Sequence, residues 1–189
     1  MDSRNAKRKL IMWNLITLDG YFEGEHSWDL GFHELVWGKE LEDFSIDQLK
    51  SADILVFGKT TYLGMADYWT TATGEEEIAK FMNGIQKLVC STTLESADWN
   101  NTTIITNAAA EIAQLKTEGN GNVLVFGSGN LSESLMKAGL FDEYRLCIAP
   151  VLLGKGKLLF NQGIPYQKMK LIESRQLATG GIILRYTPD

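Results

Sequence analysis

Val123-Leu124-Val125-Phe126-Gly127-Ser128-Gly129-Asn130-Leu131 is the stretch that decides how this chain is read. Four consecutive apolar residues without alternation describe a short strand covered on both faces. The small residues Gly127, Ser128 and Gly129 then turn the chain, and Asn130-Leu131 opens a helical spacing continued by Leu135 and Met136. A helix that starts straight after a buried strand presents unpaired N–H groups and the positive end of its dipole, which suits an anion such as a pyrophosphate. Glycine at 127 and 129 lets such a group approach the backbone. Ser132 stands where a third fingerprint glycine belongs, so this is not a Rossmann signature. A tight strand-to-helix turn with no ligand is the other reading of the same residues.

Working outward, strand-like runs recur at Leu10 to Ile16, Ile54 to Phe57, Lys87 to Cys90, Thr102 to Thr106, Tyr144 to Pro150 and Ile182 to Tyr186. Helical spacing lies between several of them, in Ile46-Leu49-Ala52, Ile78-Phe81-Met82-Ile85 and Ala109-Ile112-Ala113-Leu115. Strands alternating with helices predict an α/β fold with a mixed, mostly parallel sheet flanked by helices. The last third lacks a strong helix between its strands, which predicts an antiparallel edge. No repeat, low-complexity tract or Pro-rich linker interrupts the chain. A single domain is expected over 9–189, after a flexible N-terminus, 1–8.

Two further strand ends carry residues compatible with phosphate. Ile54 to Phe57 runs into Gly58-Lys59-Thr60-Thr61, and Lys87 to Cys90 runs into Ser91-Thr92-Thr93. Ligands of open α/β sheets bind beyond the carboxyl ends of strands. Three such ends in one chain form a pattern that one alone would not.

The chain's 189 residues suffice for one buried core. A net charge of −6 argues against a nucleic-acid partner, which needs a basic face. No apolar run approaches a membrane span, and no apolar signal core follows the charged start Met1 to Lys9, so a cytoplasmic location is expected. Cys90 and Cys147 read as small core residues rather than a disulfide pair. His26 and His33 have no acid or Cys at ligand spacing and read as surface or packing residues, with no metal expected.

Five stretches taken together make the chain resemble the dihydrofolate reductase-like family. More narrowly, they match stand-alone relatives of the reductase domain of the riboflavin-biosynthesis deaminase-reductase. The first three are Leu18-Asp19-Gly20, Gly58 to Tyr62 with Tyr68-Trp69, and Ser91 to Leu94 with Trp99. The others are Gly127 to Gly129 with Leu131, and Gly139 to Glu143 leading to Pro150 to Gly156 with Phe160.

The resemblance implies an NADPH-dependent reductase that transfers hydride to a flat heterocyclic imine or carbonyl, of the 5-amino-6-(5-phosphoribosylamino)uracil reductase type. It implies that Gly58, Lys59, Thr60 and Thr61, with Ser91 and Thr92, contact the adenosine side and its 2′-phosphate. Gly127, Ser128, Gly129, Asn130 and Leu131 would hold the pyrophosphate, and the loop of Asp19 and Gly20 would lie beside the nicotinamide. A homodimer through the C-terminal strands is implied as well. Three departures stand against a full match. Lys59 and Thr92 replace arginines of many relatives, which leaves NADH open beside NADPH. Phe126 occupies a commonly acidic position, and the zinc deaminase signature is missing, so the riboflavin pathway itself is disfavoured.

Reduction also needs a proton donor. Spacing by analogy with dihydrofolate reductases reaches Glu42 in Glu40-Leu41-Glu42-Asp43, a run that equally describes a solvated helix face. Asp19 is the other candidate, with Asp-Gly turn chemistry as its alternative. Two function classes remain open at this level. One is a reductase of a small molecule, and the other is a nucleotide- or ligand-binding module that kept the pocket without turnover.

Overall fold

A computed structural model describes residues 8–161 and 163–189. Among the described residues, ten strands and five helices follow one another as β1 (Leu10–Thr17), β2 (Tyr21–Glu23), α1 (Lys39–Lys50), β3 (Ala52–Gly58), α2 (Lys59–Trp69), α3 (Glu76–Gly84), β4 (Gln86–Cys90), β5 (Thr102–Ile105), α4 (Ala108–Leu115), β6 (Asn122–Phe126), α5 (Gly129–Lys137), β7 (Glu143–Ala149), β8 (Lys157–Leu158), β9 (Met169–Gln176) and β10 (Ile182–Pro188). A 3-10 turn over Gly31–Leu35 precedes α1. Eight strands form one sheet in the order β5-β4-β3-β6-β1-β7-β10-β9, and β2 pairs with β8 apart from it. The pairs from β5 through β7 are parallel, while β10 runs antiparallel to both β7 and β9. This is the expected mixed, mostly parallel sheet of a dihydrofolate reductase-like fold.

The strands at the centre lack alternation because helices cover both faces. One face packs Trp13, Leu55, Phe57 and Leu124 against Leu41, Phe44 and Leu49 of α1, Tyr62 of α2 and Met82 of α3. The other packs Met12, Val56 and Val125 against Ile112 of α4 and Leu131, Leu135 and Met136 of α5. Lys59-Thr60-Thr61, which follow the end of β3, form the first turn of α2. The edge strand β9 carries no alternation in its sequence and is mostly exposed, so it left no periodic signal. Cys90 and Cys147 are both free. Of the N-terminal segment 1–8, residues 1–7 lie outside the described residues; Arg8 is buried and pairs with Asp53 at 3.3 Å. Among the described residues no helix is long and apolar enough to cross a membrane.

The antiparallel edge is held to the sheet by a buried ion network. Glu143 at the start of β7, 1% exposed, accepts from Nε of Arg145 at 2.7 Å and Nε of Arg185 on β10 at 2.8 Å. Arg185 reaches on to Glu173 of β9 at 2.9 Å. Burial pushes the Glu143 carboxyl up, but the two guanidiniums outweigh it and hold the group below its ordinary 4.5. A lowered folded value places this stabilisation above about pH 4.5 and removes it as the pH falls through the folded value. Glu143→Gln leaves two partly buried guanidiniums short of a counter-charge and is expected to cost about 3–5 kcal/mol at neutral pH. Urea unfolding across pH 3 to 7 checks this: the variant's curve should be flatter than wild type over the acid limb.

Candidate active site

The central strands β1 and β6 are paired only from Leu10–Val123 to Trp13–Phe126. Beyond that point β6 ends in the turn Gly127-Ser128, while β1 continues to Thr17 paired with β7 alone. A cavity of about 690 Å³ opens at this parting. Trp13, Asn14, Leu15 and Phe126 line it where the strands separate, and Gly127 to Asn130 line it from the start of α5. Gln48 and Leu49 of α1 with Met65 and Trp69 of α2 enclose it on one side, and Phe22, Glu23 and Lys157 of the β2–β8 pair cover it on another.

Two helix starts meet at its rim. Neither α2, with Gly58 at its N-cap, nor α5, with Ser128, has a side-chain cap, so their first N–H groups are free for an anion. Gly127 and Ser128 both adopt left-handed backbone, at φ 54° and 60°. That geometry suits Gly127 and strains Ser128. A side chain at Gly127 would stand 3.3 Å from Thr61, and one at Gly129 would stand 3.3 Å from the ring of Phe22. A Cβ at Gly58 would overlap the hydroxyl of Ser128 and approach its Cβ to 3.0 Å. Gly58 is therefore required by the neighbouring turn rather than by a ligand. Ser132, in the place of a third glycine, is fully buried and donates to the carbonyl of Gly127 at 3.0 Å.

The sequence-derived cofactor residues divide. Thr60, Thr61, Gly127, Ser128, Gly129 and Asn130 line the cavity. Lys59 lies to one side, its ammonium donating to the Thr93 hydroxyl at 3.0 Å, which joins the β3 and β4 strand ends. Ser91 accepts from the N–H groups of Thr93 and Leu94 at 3.1 and 3.0 Å, and Thr92 is exposed. Leu131 belongs to the core beside α5 and not to the cavity wall.

Neither expected proton donor lines the cavity. The Asp19 carboxylate accepts from the Thr17 hydroxyl at 2.5 Å and from the N–H groups of Leu153 and Gly154 at 3.1 and 2.8 Å. These bonds, the Thr17 hydroxyl first, hold its carboxyl below the ordinary range, so Asp19 is an ionised clamp between two loops. Gly20 beside it has φ 87° and accepts from Leu159 N–H at 3.0 Å, which anchors the β2–β8 pair. Glu42 falls off the stripe of α1 that faces inward. That stripe is Leu41, Phe44, Ser45, Gln48 and Leu49, the spacing of one helix face.

Polar residues that sequence reasoning missed do reach the cavity. Buried Glu23 accepts from the Trp28 N–H at 2.6 Å and forms an ion pair with Lys157. Asn14, Gln48 and His33 line the cavity, and Asn14 Nδ2, Gln48 Oε1 and His33 Nε2 are buried without a partner. Burial alone pushes the His33 imidazole down to about 4, so it is neutral at pH 7. The available signal was Ser45 and Gln48 inside the apolar stripe of α1, but the sequence does not show which face of that helix meets a cavity.

A parallel sheet split at its centre, with helix starts and an aromatic-walled cavity at the split, defines a dihydrofolate reductase-like α/β protein. The chain belongs to the RibD C-terminal domain family, whose model matches residues 8–183. It is similar to protein YyaP of Bacillus subtilis (strain 168), with 27% identity covering 98% of each chain. Among solved structures it is similar to a Shewanella sp. PV-4 protein named for riboflavin biosynthesis, with 20% identity, a TM-score of 0.78, and 96% of this chain and 99% of that one covered. Dihydrofolate reductase from Enterococcus faecalis complexed with NADP(H) shares the fold at 12% identity and a TM-score of 0.65, with 97% and 98% covered.

The contact between the two turns yields a double-variant test. Gly58→Ala is expected to destabilise the protein by about 1–3 kcal/mol through overpacking against Ser128. Ser128→Gly should relieve both that clash and the left-handed strain at 128. Denaturant unfolding of both single variants and the pair should therefore show a coupling term, and strict additivity would mean the turns do not touch.

Proposed function

We propose that this protein is an NADPH-dependent reductase acting on a flat heterocyclic imine or carbonyl. The observation that carries the proposal is the pair of uncapped helix starts, α2 and α5, set side by side where the central strands part. Membership of the RibD C-terminal domain family and the shared fold of an NADP(H)-bound reductase support it. The free N–H groups of Gly129 and Asn130, with the hydroxyls of Thr60 and Thr61, suit the pyrophosphate. Lys59, Ser91 and Thr92 form the polar edge that would meet a 2′-phosphate. Bound there, the cofactor supplies the hydride. Trp13, Trp69 and Phe126 offer flat walls that hold an acceptor ring in place and keep water out.

Lys157 lines the cavity and is oriented by its ion pair with Glu23, so it takes the place of Asp19 and Glu42 as proton donor. The displacement of those two carboxylates from the cavity also favours a second reading, a binding module of the same fold without turnover. NADPH oxidation measured over a panel of imines and carbonyls separates the two. We also place a homodimer at the C-terminal strands, supported by Leu171, Ile172 and Ile182, each more than 40% exposed on β9 and β10.

Calorimetric titration with both cofactors tests the cofactor site. Gly129→Ala should weaken NADPH and NADH alike, because both carry the pyrophosphate. Lys59→Ala should weaken NADPH alone, by about 1–2 kcal/mol, with a smaller loss in high salt. No saturable NADPH binding at millimolar concentration would defeat the cofactor assignment, since it leaves less than about 4 kcal/mol of affinity.

A further inference from the structure

We infer that Lys87, a buried lysine of β4 that does not line the cavity, is a positioning residue: its ammonium ties α3 to α2 and so sets the wall on which Trp69 and the start of α2 meet a ligand. This deepens the site proposed above and rests on that reading for what the wall holds.

The first ground is an interior charge with a cage built for it. Lys87 is fully buried, and its strand neighbours Leu88 and Val89 are apolar. Its Nζ donates to the carbonyls of Ile85 at 2.7 Å, Asn100 at 2.9 Å and Asn83 at 3.3 Å, which occupies all three of its donors. It also lies 4.6 Å from the ring centre of Trp99, a cation–π distance. Its partners are thus main-chain oxygens and a ring face. Burial pushes the ammonium down to about 8, which leaves it charged at pH 7. A charge taken out of water is costly unless the surroundings complete it, and here they do. Asn83 lies in the last turn of α3, where carbonyls have no partner inside the helix, so the ammonium caps that end and complements its dipole.

The second ground is where the cage leads. The Asn83 side-chain amide donates to the Trp69 carbonyl at 2.9 Å, and its oxygen accepts from Nε1 of Trp99 at 2.7 Å. Trp69 is the last residue of α2 and lines the cavity, as do Ile78 and Met82 of α3. Its own Nε1 donates to Met65 Sδ at 3.2 Å, which holds the indole against its helix. At the other end of α2, the Tyr62 hydroxyl accepts from the Trp99 N–H at 3.0 Å. Tyr62 directly follows Thr60 and Thr61, which line the cavity at the helix start. Both ends of α2 are therefore tied to one cluster centred on the ammonium. Capping α3 requires the carbonyl of Asn83 and none of these links to α2.

Fluorine NMR of protein labelled with 5-fluorotryptophan tests this, because the chain has five tryptophans and each gives its own signal. One tryptophan-to-phenylalanine variant per signal assigns them. Lys87→Met keeps the length of the side chain and removes its charge. It is expected to shift the Trp69 signal together with that of Trp99 and to leave Trp28 and Trp37 in place. In calorimetry it should weaken NADPH by about tenfold. Asn83→Ala keeps the cage, which uses the Asn83 main chain, and cuts the link to Trp69; it should shift Trp69 and weaken NADPH to a similar extent. In Lys87→Ala, propylammonium should restore both readouts and propanol neither, because the cage is built for a charge. A groove of about 560 Å³ that shares Trp99 and Asn100 with the cage gives the amine its entry. An unchanged Trp69 signal or NADPH affinity in folded Lys87→Met or in Asn83→Ala would overturn the inference, as would absent amine rescue or equal rescue by the alcohol. If Lys87→Met does not fold, Asn83→Ala decides alone. A wild type that binds no NADPH defeats the reductase reading, while the Trp69 signal still decides the role of Lys87.

Discussion

The structure depends on where two strands stop holding each other. β1 and β6 share hydrogen bonds through Trp13 and Phe126 and then separate, because Gly127 and Ser128 turn β6 away in left-handed backbone while β1 stays with β7. A parallel sheet that parts at its centre leaves strand-end backbone and the first turn of a helix facing one gap. Buried backbone groups are almost always paired, so such a gap persists only where side chains, water or a ligand complete it. The cavity, the uncapped start of α5 and the unpaired edge of β1 are consequences of that one divergence.

The turns around the gap are coupled to one another by contact. Gly58 begins α2 without a side chain because Ser128 occupies the space a Cβ would take. Lys59 in turn reaches the Thr93 hydroxyl, so the ends of β6, β3 and β4 form one connected rim. The opposite rim is held by charge: Asp19 ties its loop to Leu153 and Gly154, and Glu23 ties β2 to Lys157. Asp19, which looks catalytic in sequence, thus serves to fix the cover of the cavity. The hydrogen bonds of Asp19 favour its ionised form, which is the wrong direction for a group meant to donate a proton.

The inward stripe of α1 shows a trade between stability and recognition. Leu41, Phe44 and Leu49 fasten the helix to the sheet, while Ser45 and Gln48 on the same face give up packing to present polar groups to the cavity. Local rules of patterning fail at this place and hold elsewhere on the helix, and such failures are expected to mark functional surfaces.

The sequence by itself determined the α/β class, the parallel centre, the antiparallel end and the strand-to-helix turn at 127–130. Each of these follows from local periodicity: unbroken apolar runs where both faces are covered, helical spacing between them, and glycine where the chain must turn. It also carried the resemblance that the family match bears out. The start of α2 at Lys59, the edge strand β9 and the β2–β8 pair were not legible, because polar, short or exposed segments leave no periodic trace. Which polar residues face the cavity was decided only by the tertiary structure. Asp19 and Glu42 were reasonable from spacing, yet Gln48, Asn14 and His33 hold those walls, since facing depends on how α1 is rotated against the sheet and on where β1 and β6 part. Both are set by contacts between residues far apart in the chain, such as Trp13 with Phe44, and a one-dimensional pattern does not contain them.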